Sequence, residues 1–153
     1  MNFISREELL EKLQEFSKDE MAIVDVRDQQ DHGHGHLKNS IWIPFPLFHV
    51  KNYAFLDSFR IVIFHCMLSK YRAPKCAEKY FAVKSENQQV FILKDGFQGL
   101  MMDQIWVQNH LDLFQDYDSS YWHEENDQEE YYDPCAQELS CEGEDSEEIE
   151  QKD

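Results

Sequence analysis

Four short apolar runs, separated by segments of other character, constrain the fold of this chain more than any other feature. Each run is rich in β-branched or other apolar residues and is short enough for a buried strand. The runs are Met21–Val26, Ile41–Ile43, Ile61–Phe64 and Gln89–Leu93. Pro44 ends the second run, because proline lacks the backbone N–H that donates to the hydrogen-bond ladder of a sheet. The sequence therefore predicts at least four strands.

Helical patterns lie between and around these strands. Ser5 and Glu8 have the spacing of a capping box, which predicts a helix from about Arg6 to Phe16. Further helices are predicted from Ala73 to about Val83 and around Gly99–Leu113, with part of Leu47–Phe59 helical and a polar, glycine-broken loop over Asp31–Leu37. Strands that alternate with helices imply parallel β–α units. We therefore expect an α/β fold whose sheet is covered on both faces.

The third strand is followed by a cysteine and, after five residues, by an arginine. Cys66 stands where the strand ends, and Arg72 stands where a helix begins, with Pro74 in the first turn of that helix. The residues between them are Met67, Leu68, Ser69, Lys70 and Tyr71. In parallel sheets, ligands bind beyond the carboxyl ends of the strands, so this loop is the candidate site.

The chemistry of such a loop favours an oxyanion. A helix N-terminus offers unpaired N–H groups and partial positive charge, and successive inward amides form an anion-binding nest. The Arg72 guanidinium matches two oxygens of a tetrahedral anion. The same field stabilises a thiolate, so Cys66 is predicted to be a nucleophile. Ser69 either bonds this thiolate or forms a turn, and His65 is expected to orient the loop backbone.

The net charge of -17 is concentrated at the C-terminal end of the chain. Residues 1–115 carry 15 acidic and 13 basic side chains, whereas residues 116–153 carry 16 acidic side chains and Lys152 alone. We therefore predict a domain over residues 1–115 and an acidic, largely disordered tail over residues 116–153. Some of its aromatic residues are expected to dock on the domain; they are Tyr117, Tyr121, Trp122, Tyr131 and Tyr132. The tail argues against nucleic-acid or membrane binding, and its partner is left open.

Four cysteines are too few and too unevenly placed for a disulfide framework, and the chain shows neither a signal segment nor a membrane span. A cytoplasmic or nuclear setting is expected, because a thiolate nucleophile needs reducing conditions. Cys76 is predicted to pack in the core, while Cys135 and Cys141 lie in the tail. No cofactor is expected, and the alternating His32, His34 and His36 favour structure over a metal site.

Two segments resemble the rhodanese-domain signature. Asp25-Val26-Arg27 is followed by Gly35-His36-Leu37 and a stretch that ends at Pro44, and Val90–Phe97 resembles the late strand and glycine turn of the same fold. The resemblance covers about residues 5–110. It implies a single rhodanese-like domain with a five-stranded parallel sheet flanked by helices. It also implies that Asp25, Arg27 and His36 support the fold around the loop, with Asp25 and Arg27 in a buried ion pair or hydrogen-bond network.

The length of the loop separates branches of this family. The loop of sulfurtransferase rhodaneses is one residue shorter, whereas cysteine, five residues and arginine resemble the cell-division-cycle dual-specificity phosphatases and the fungal-type arsenate reductases. The extra residue implies an amide ring wide enough for a tetrahedral oxyanion. Met67 and Tyr71 stand where the cell-cycle phosphatases carry acids, which makes the arsenate reductase branch the better match.

The resemblance implies a small cysteine-dependent phosphatase or arsenate reductase that acts through Cys66 and Arg72. Its substrate is expected to be a phosphate monoester or arsenate. Arsenate reduction would use an external thiol such as glutathione, or glutaredoxin. The acid that protonates the leaving group stays open among Asp28, Asp31 and Asp95. Two alternatives remain: a thiosulfate sulfurtransferase with a persulfide on Cys66, and a non-catalytic adaptor that works through the acidic tail.

Overall fold

The structure is a computed structural model that describes residues 2–123. The strands are β1 (Asn2–Ile4), β2 (Met21–Asp25), β3 (His36–Leu37), β4 (Ile41–Trp42), β5 (Ile61–His65), β6 (Gln89–Leu93) and β7 (Phe114–Gln115). The helices are α1 (Arg6–Glu15), α2 (Gln29–Gly33), α3 (Arg72–Phe81), α4 (Gly96–Met101), α5 (Gln104–Asn109) and α6 (Ser119–His123). Short 3₁₀ segments cover Phe45–Leu47, Val50–Ser58 and Leu111–Leu113.

Five of the strands form one parallel sheet in the order β1-β6-β5-β2-β4. Strands β2 and β5 are buried along their whole length and are in register, so that Asp25 lies opposite His65. Helix α3 packs against β5 and β6. The α/β fold with a five-stranded parallel sheet, expected from the resemblance, is confirmed.

Local capping explains several element boundaries. The capping box is present: the Ser5 hydroxyl accepts from the Glu8 amide at 3.1 Å, and the Glu8 carboxylate accepts from the Ser5 amide at 2.8 Å. The helical stretch expected around Gly99–Leu113 is present but is divided. Two short helices stand there, α4 and α5, because the Asp103 side chain caps a new helix by accepting from the Trp106 amide.

The loop expected over Asp31–Leu37 is wrong. Helix α2 covers its first half because Asp28 is a good N-cap, and its side chain accepts from the Asp31 amide at 3.0 Å. The second half contains β3, which pairs antiparallel with β7. Sequence patterns that span only two to five residues are too short to show a helical or strand period.

The folded domain continues past residue 115, where its end is predicted. Helix α6 packs back on the loop that follows α2, where the Trp122 indole donates to the His34 carbonyl at 2.8 Å. Trp122 also lies against Phe97, and Tyr117 packs on the core. Tyr131, Tyr132, Cys135 and Cys141, together with the remainder of the predicted tail, lie outside the described residues. No helix within residues 2–123 has both the length and the apolar character that a membrane span requires.

Candidate active site

The loop of residues 66–71 connects β5 to α3 at the carboxyl end of the sheet. Cys66 follows the last residue of β5, and Arg72 is the first residue of α3, as the sequence predicts. Both are buried, with 0% of Cys66 and 2% of Arg72 exposed. Of the residues between them, Met67 and Ser69 are buried, Leu68 and Tyr71 are half-buried and Lys70 is exposed. The nucleophile candidate is therefore enclosed by the protein.

Two backbone hydrogen bonds from α4 orient the first half of this loop. The Phe97 amide donates to the Cys66 carbonyl at 3.0 Å, and the Gln98 amide donates to the Met67 carbonyl at 2.9 Å. In a trans peptide the N–H points opposite to the C=O. The N–H groups of Met67 and Leu68 therefore point away from α4. This is the arrangement in which consecutive amides can face an anion together.

Gly96 makes this close approach possible. Its φ is +61°, and a Cβ at this position would lie 2.4 Å from the Met67 carbonyl oxygen and 2.7 Å from that of Cys66. No side chain fits in such a space. The sequence indicates a turn at Asp95–Gly96, but its contact with the loop joins residues about thirty positions apart, which short-range patterns do not reveal.

Ser69 turns the loop back toward α3. Its backbone is left-handed, with φ +58°, and its hydroxyl accepts from the Cys66 amide at 3.5 Å. The turn role considered from the sequence is therefore present, and a bond from Ser69 to the Cys66 sulfur stays a prediction. Tyr71 completes the loop with its ring against Phe45, and the Lys75 ammonium lies 5.5 Å from the centre of the Tyr71 ring.

A buried ion pair supports the loop from the neighbouring strand. Asp25 and Arg27 have fully buried side chains, 2.9 Å apart at their nearest charged atoms, and Arg27 also donates to the Gly35 carbonyl at 2.8 Å. Burial alone would raise the pKa of the Asp25 carboxyl. The charge of Arg27, with hydrogen bonds from His32 and Arg27, instead holds that pKa well below its usual value. Asp25 is therefore ionised at neutral pH.

His65 connects this ion pair to the nucleophile. Its Nδ1 lies 3.2 Å from the Cys66 carbonyl, which can only accept, so Nδ1 carries the proton. Burial lowers the pKa of His65, against the opposing charge of Asp25, so the ring is neutral. The guanidinium of Arg27 lies 4.0 Å from the centre of the Phe97 ring. The backbone amide of Phe97 donates to the same Cys66 carbonyl. The loop thus rests on α4 and His65, and Arg27 packs against the α4 residue that binds the loop.

The three alternating histidines make separate contacts. His36 is buried and stacks on His32 with ring centres 3.9 Å apart, and its Nδ1 is 3.0 Å from the His32 carbonyl. The ring of His34 stacks instead on Tyr121, with ring centres 3.9 Å apart. Within residues 2–123, no group of three or more histidine, cysteine or acidic side chains is arranged to hold a metal ion.

The predicted anion-binding loop around Cys66 has a consequence that can be measured by alkylation with iodoacetate, an anion. We expect Cys66 to be carboxymethylated at least about ten-fold faster than Cys76, because a loop of inward amides lowers the pKa of a thiol and attracts an anion. Cys76 is an internal control, since it is equally buried, in the middle of α3. Peptide mass spectrometry would give both rates, with and without phosphate. Equal rates, or no protection by phosphate, would contradict an anion-binding loop.

Fold and site together define a class, namely single α/β domains in which a cysteine-to-arginine loop follows a central strand of a parallel sheet. Residues 5–103 match the Rhodanese-like domain family. The chain therefore belongs to the rhodanese-like domain family.

The relatives of this chain include proteins with more than one activity. It is 32% identical over 88 residues to the dual specificity phosphatase Cdc25 of Arabidopsis thaliana, a match that covers 52% of this chain and 60% of that protein. The chain thus spans less than two thirds of this curated relative. The structure of the As-Sb reductase from Leishmania major matches at 26% identity with a TM-score of 0.61, over 74% of this chain and 83% of that one.

Two other solved structures share the fold. Ygr203w, a yeast protein tyrosine phosphatase of the rhodanese family, matches with a TM-score of 0.64 and 22% identity, over 80% of this chain and 96% of that one. Thiosulfate sulfurtransferase from Pseudomonas aeruginosa matches with a TM-score of 0.57 and 18% identity, over 77% of this chain and 20% of that one. The proteins that share this fold thus include phosphatases, an As-Sb reductase and a thiosulfate sulfurtransferase.

Proposed function

We propose that this chain is a cysteine-dependent enzyme that hydrolyses phosphate monoesters, with arsenate as a second oxyanion substrate. One observation carries the proposal, the geometry of the loop. Five residues separate Cys66 from Arg72, and α4 binds the Cys66 and Met67 carbonyls on the side of the loop opposite to the expected anion. Such a loop leaves its N–H groups for a tetrahedral anion above the sulfur, with a guanidinium beside it.

In the proposed reaction the Cys66 thiolate attacks phosphorus in line with the ester oxygen. The S–P bond forms as the P–O bond to the alcohol or phenol breaks, and the departing oxygen takes a proton. Water then attacks phosphorus and the S–P bond breaks. Inorganic phosphate is released and the thiolate is regenerated. Arg72 and the loop amides stabilise the equatorial oxygens, whose charge is greatest in the transition state.

Arsenate would follow the same first step. The thiolate attacks arsenic, water leaves and a thiol–arsenate adduct forms. An external thiol such as glutathione then supplies two electrons, which releases arsenite and leaves a disulfide. Cys76 lies in the middle of α3 rather than in the loop, and we assign this role to an external thiol, or to glutaredoxin. Both routes require a reduced thiol, so we place the protein in the cytoplasm or nucleus.

The relatives support this reading at different strengths. The Arabidopsis phosphatase and the Leishmania reductase both share at least a quarter of their matched residues with this chain. The sulfurtransferase shares 18%. Because the loop here is one residue longer than the loop expected for persulfide transfer, a thiosulfate sulfurtransferase is the weaker alternative.

The direct test measures three activities on one preparation of the full chain. With p-nitrophenyl phosphate, arsenate plus glutathione, and thiosulfate plus cyanide as substrates, we expect turnover of the first two. We expect no thiocyanate above background, because the wider loop does not enclose a single sulfur. Vanadate, a tetrahedral oxyanion, should inhibit in competition with the ester. Turnover of thiosulfate alone would establish the sulfurtransferase instead, and inactivity in all three assays would favour the non-catalytic adaptor.

A further inference from the structure

We infer that Trp122 is a positioning residue that acts on the cysteine loop through Phe97, an inference that rests on the enzymatic function proposed above. Trp122 lies in α6, and its ring contacts the ring of Phe97 in α4. The backbone amide of Phe97 in turn binds the carbonyl of Cys66. The C-terminal segment is therefore joined to the candidate nucleophile through a single intermediate residue.

The side chain of Phe97 is fully buried among aromatic and cationic groups. Measured between ring centres, His65 is 5.9 Å away, Phe114 is 5.8 Å away and Trp122 is 5.4 Å away. The Arg27 guanidinium lies 4.0 Å from the centre of the same ring. Because protein interiors are close-packed, these neighbours together determine where the Phe97 ring lies.

The position of Phe97 determines the direction of the first amide of the loop. Its N–H donates to the Cys66 carbonyl at 3.0 Å, and His65 Nδ1 lies 3.2 Å from the same oxygen. The peptide bond that follows Cys66 is planar and trans, so its N–H, which belongs to Met67, points away from these two donors. A shift of Phe97 would turn this amide, which is one of the groups expected to face the anion.

Trp122 is itself anchored on the segment that follows α2. Its indole N–H donates to the His34 carbonyl at 2.8 Å, and the Asp118 amide donates to the same oxygen at 3.1 Å. The ring of Tyr121 stacks on that of His34, and its hydroxyl donates to Asp31 Oδ1 at 3.1 Å. These contacts hold α6 in place, so that Trp122 can support the Phe97 ring.

Gly35 allows α6 to come this close. Its φ is +141°, and a Cβ at this position would lie 3.2 Å from the Trp122 indole nitrogen and 3.4 Å from Tyr117 Cα. The Gly35 carbonyl accepts from Arg27, whose guanidinium lies against Phe97 and 6.0 Å from the centre of the Trp122 ring. Trp122, Arg27 and Phe97 are thus packed together behind the loop.

Two of the rings around Phe97 come from the C-terminal part of the chain. Phe114 and Trp122 both lie beyond residues 5–103, the range that matches the family. The support that they give Phe97 therefore comes from outside the matched domain. Trp122 also belongs to the segment that the sequence assigns to the acidic tail. We therefore expect part of that segment to be needed for catalysis.

Removal of the Trp122 ring tests this role on the full chain, with p-nitrophenyl phosphate as the substrate. We expect Trp122→Ala to lower kcat per folded molecule by about 10-fold to 10²-fold, the scale of a misplacement of about 1 Å. Trp122→Phe should retain most of the wild-type kcat. An aromatic ring still faces Phe97 in this variant, and only the N–H that donates to His34 is lost.

Trp106→Ala is the matched control. It removes the same side chain from a more buried position, where the ring packs on His110, Phe114 and the Arg6 guanidinium. Its unfolding temperature is expected to fall at least as far as that of Trp122→Ala, whereas its kcat per folded molecule should equal that of the wild type. Equal losses of kcat in the two variants would mean that general packing, and not the position of Phe97, determines the activity.

The reactivity of Cys66 separates positioning of the loop from loosening of the fold. If Trp122→Ala turns the loop amides away from the sulfur, iodoacetate should carboxymethylate Cys66 more slowly than in the wild type at neutral pH. A loosened fold would instead expose both buried cysteines, so that Cys66 and Cys76 would both react faster. Peptide mass spectrometry gives the two rates in each variant.

A loss of kcat in Trp122→Ala but not in Trp106→Ala, with slower carboxymethylation of Cys66 and recovery in Trp122→Phe, would support the inference. Wild-type kcat in Trp122→Ala, an equal loss in Trp122→Phe, or faster reaction of both cysteines would overturn it while leaving the enzyme intact. If Trp122→Ala does not fold, Trp122→Leu, which leaves a smaller void, is measured in its place. Wild-type protein that is inactive on the ester would overturn the proposed function, and the carboxymethylation rates would still decide whether Trp122 positions the loop.

Discussion

Cys66→Ser is expected to lower phosphate release from p-nitrophenyl phosphate by at least about 10⁴-fold, the scale on which loss of a covalent nucleophile acts. Serine is nearly the same size as cysteine, so the fully buried position can accept it without new contacts. At neutral pH, however, a serine hydroxyl is not ionised by an anion-binding loop, whereas a thiol is. The measurement is kcat/KM by release of nitrophenol, together with the unfolding temperature.

The matched control for this loss is Cys76→Ser. It makes the same chemical change at a site that is also buried, one turn into α3. We expect it to retain wild-type activity per folded molecule, although its unfolding temperature is expected to fall. Cys66→Ser should still bind vanadate, since the amides and Arg72 remain. An active Cys66→Ser enzyme would exclude the covalent mechanism.

The same variant separates an enzyme from an adaptor. If the protein acts only as a rhodanese-fold adaptor through its acidic tail, Cys66→Ser should keep full biological activity, and deletion of residues 124–153 should remove it. If catalysis is the function, Cys66→Ser should remove the biological activity and the deletion should leave it unchanged. The deletion removes no residue from the described range 2–123, and Cys66→Ser replaces a single sulfur by oxygen within it, so a difference between the two variants reports on function.

The alternation of strands and helices can be predicted from the sequence. The reason is that the apolar period and the content of β-branched residues are properties of short segments. The strands β2, β5 and β6 begin at the expected residues, since each contains four consecutive apolar residues. Strand β1 was not predicted. Its three residues, Asn2–Ile4, show no alternation, and they form a strand only because β6 offers an open edge for pairing.

The candidate site could be predicted where it depends on neighbours in sequence, and not where it depends on distant contacts. Cys66, Arg72 and the strand–loop–helix context are visible in a single stretch. The support from Phe97 and Gln98, and the contact of Tyr121 with Asp31, join residues about 30 and 90 positions apart. No short-range period carries such information.

The same distant contact leads to the second large prediction, Gly96→Ala. A Cβ at this position would stand 2.4 Å from the Met67 carbonyl oxygen, and the φ of +61° is unfavourable for any residue with a Cβ. We expect the free energy of unfolding to fall by about 2–4 kcal/mol, the sum of left-handed strain and overpacking against backbone. Activity of the folded fraction should fall by about 10²-fold, because a displaced loop misplaces the amides and the nucleophile.

Gly33→Ala is the matched control for this change, because nothing lies within 4 Å of a Cβ at Gly33. The residue is the last of α2, where alanine is the better helix former, so stability should stay constant or rise by up to about 1 kcal/mol. Denaturant unfolding and kcat/KM, measured on both variants, test the prediction. If Gly96→Ala were as stable and as active as Gly33→Ala, the α4 amides would not determine the shape of the loop, and the principal argument for an oxyanion cradle would be lost.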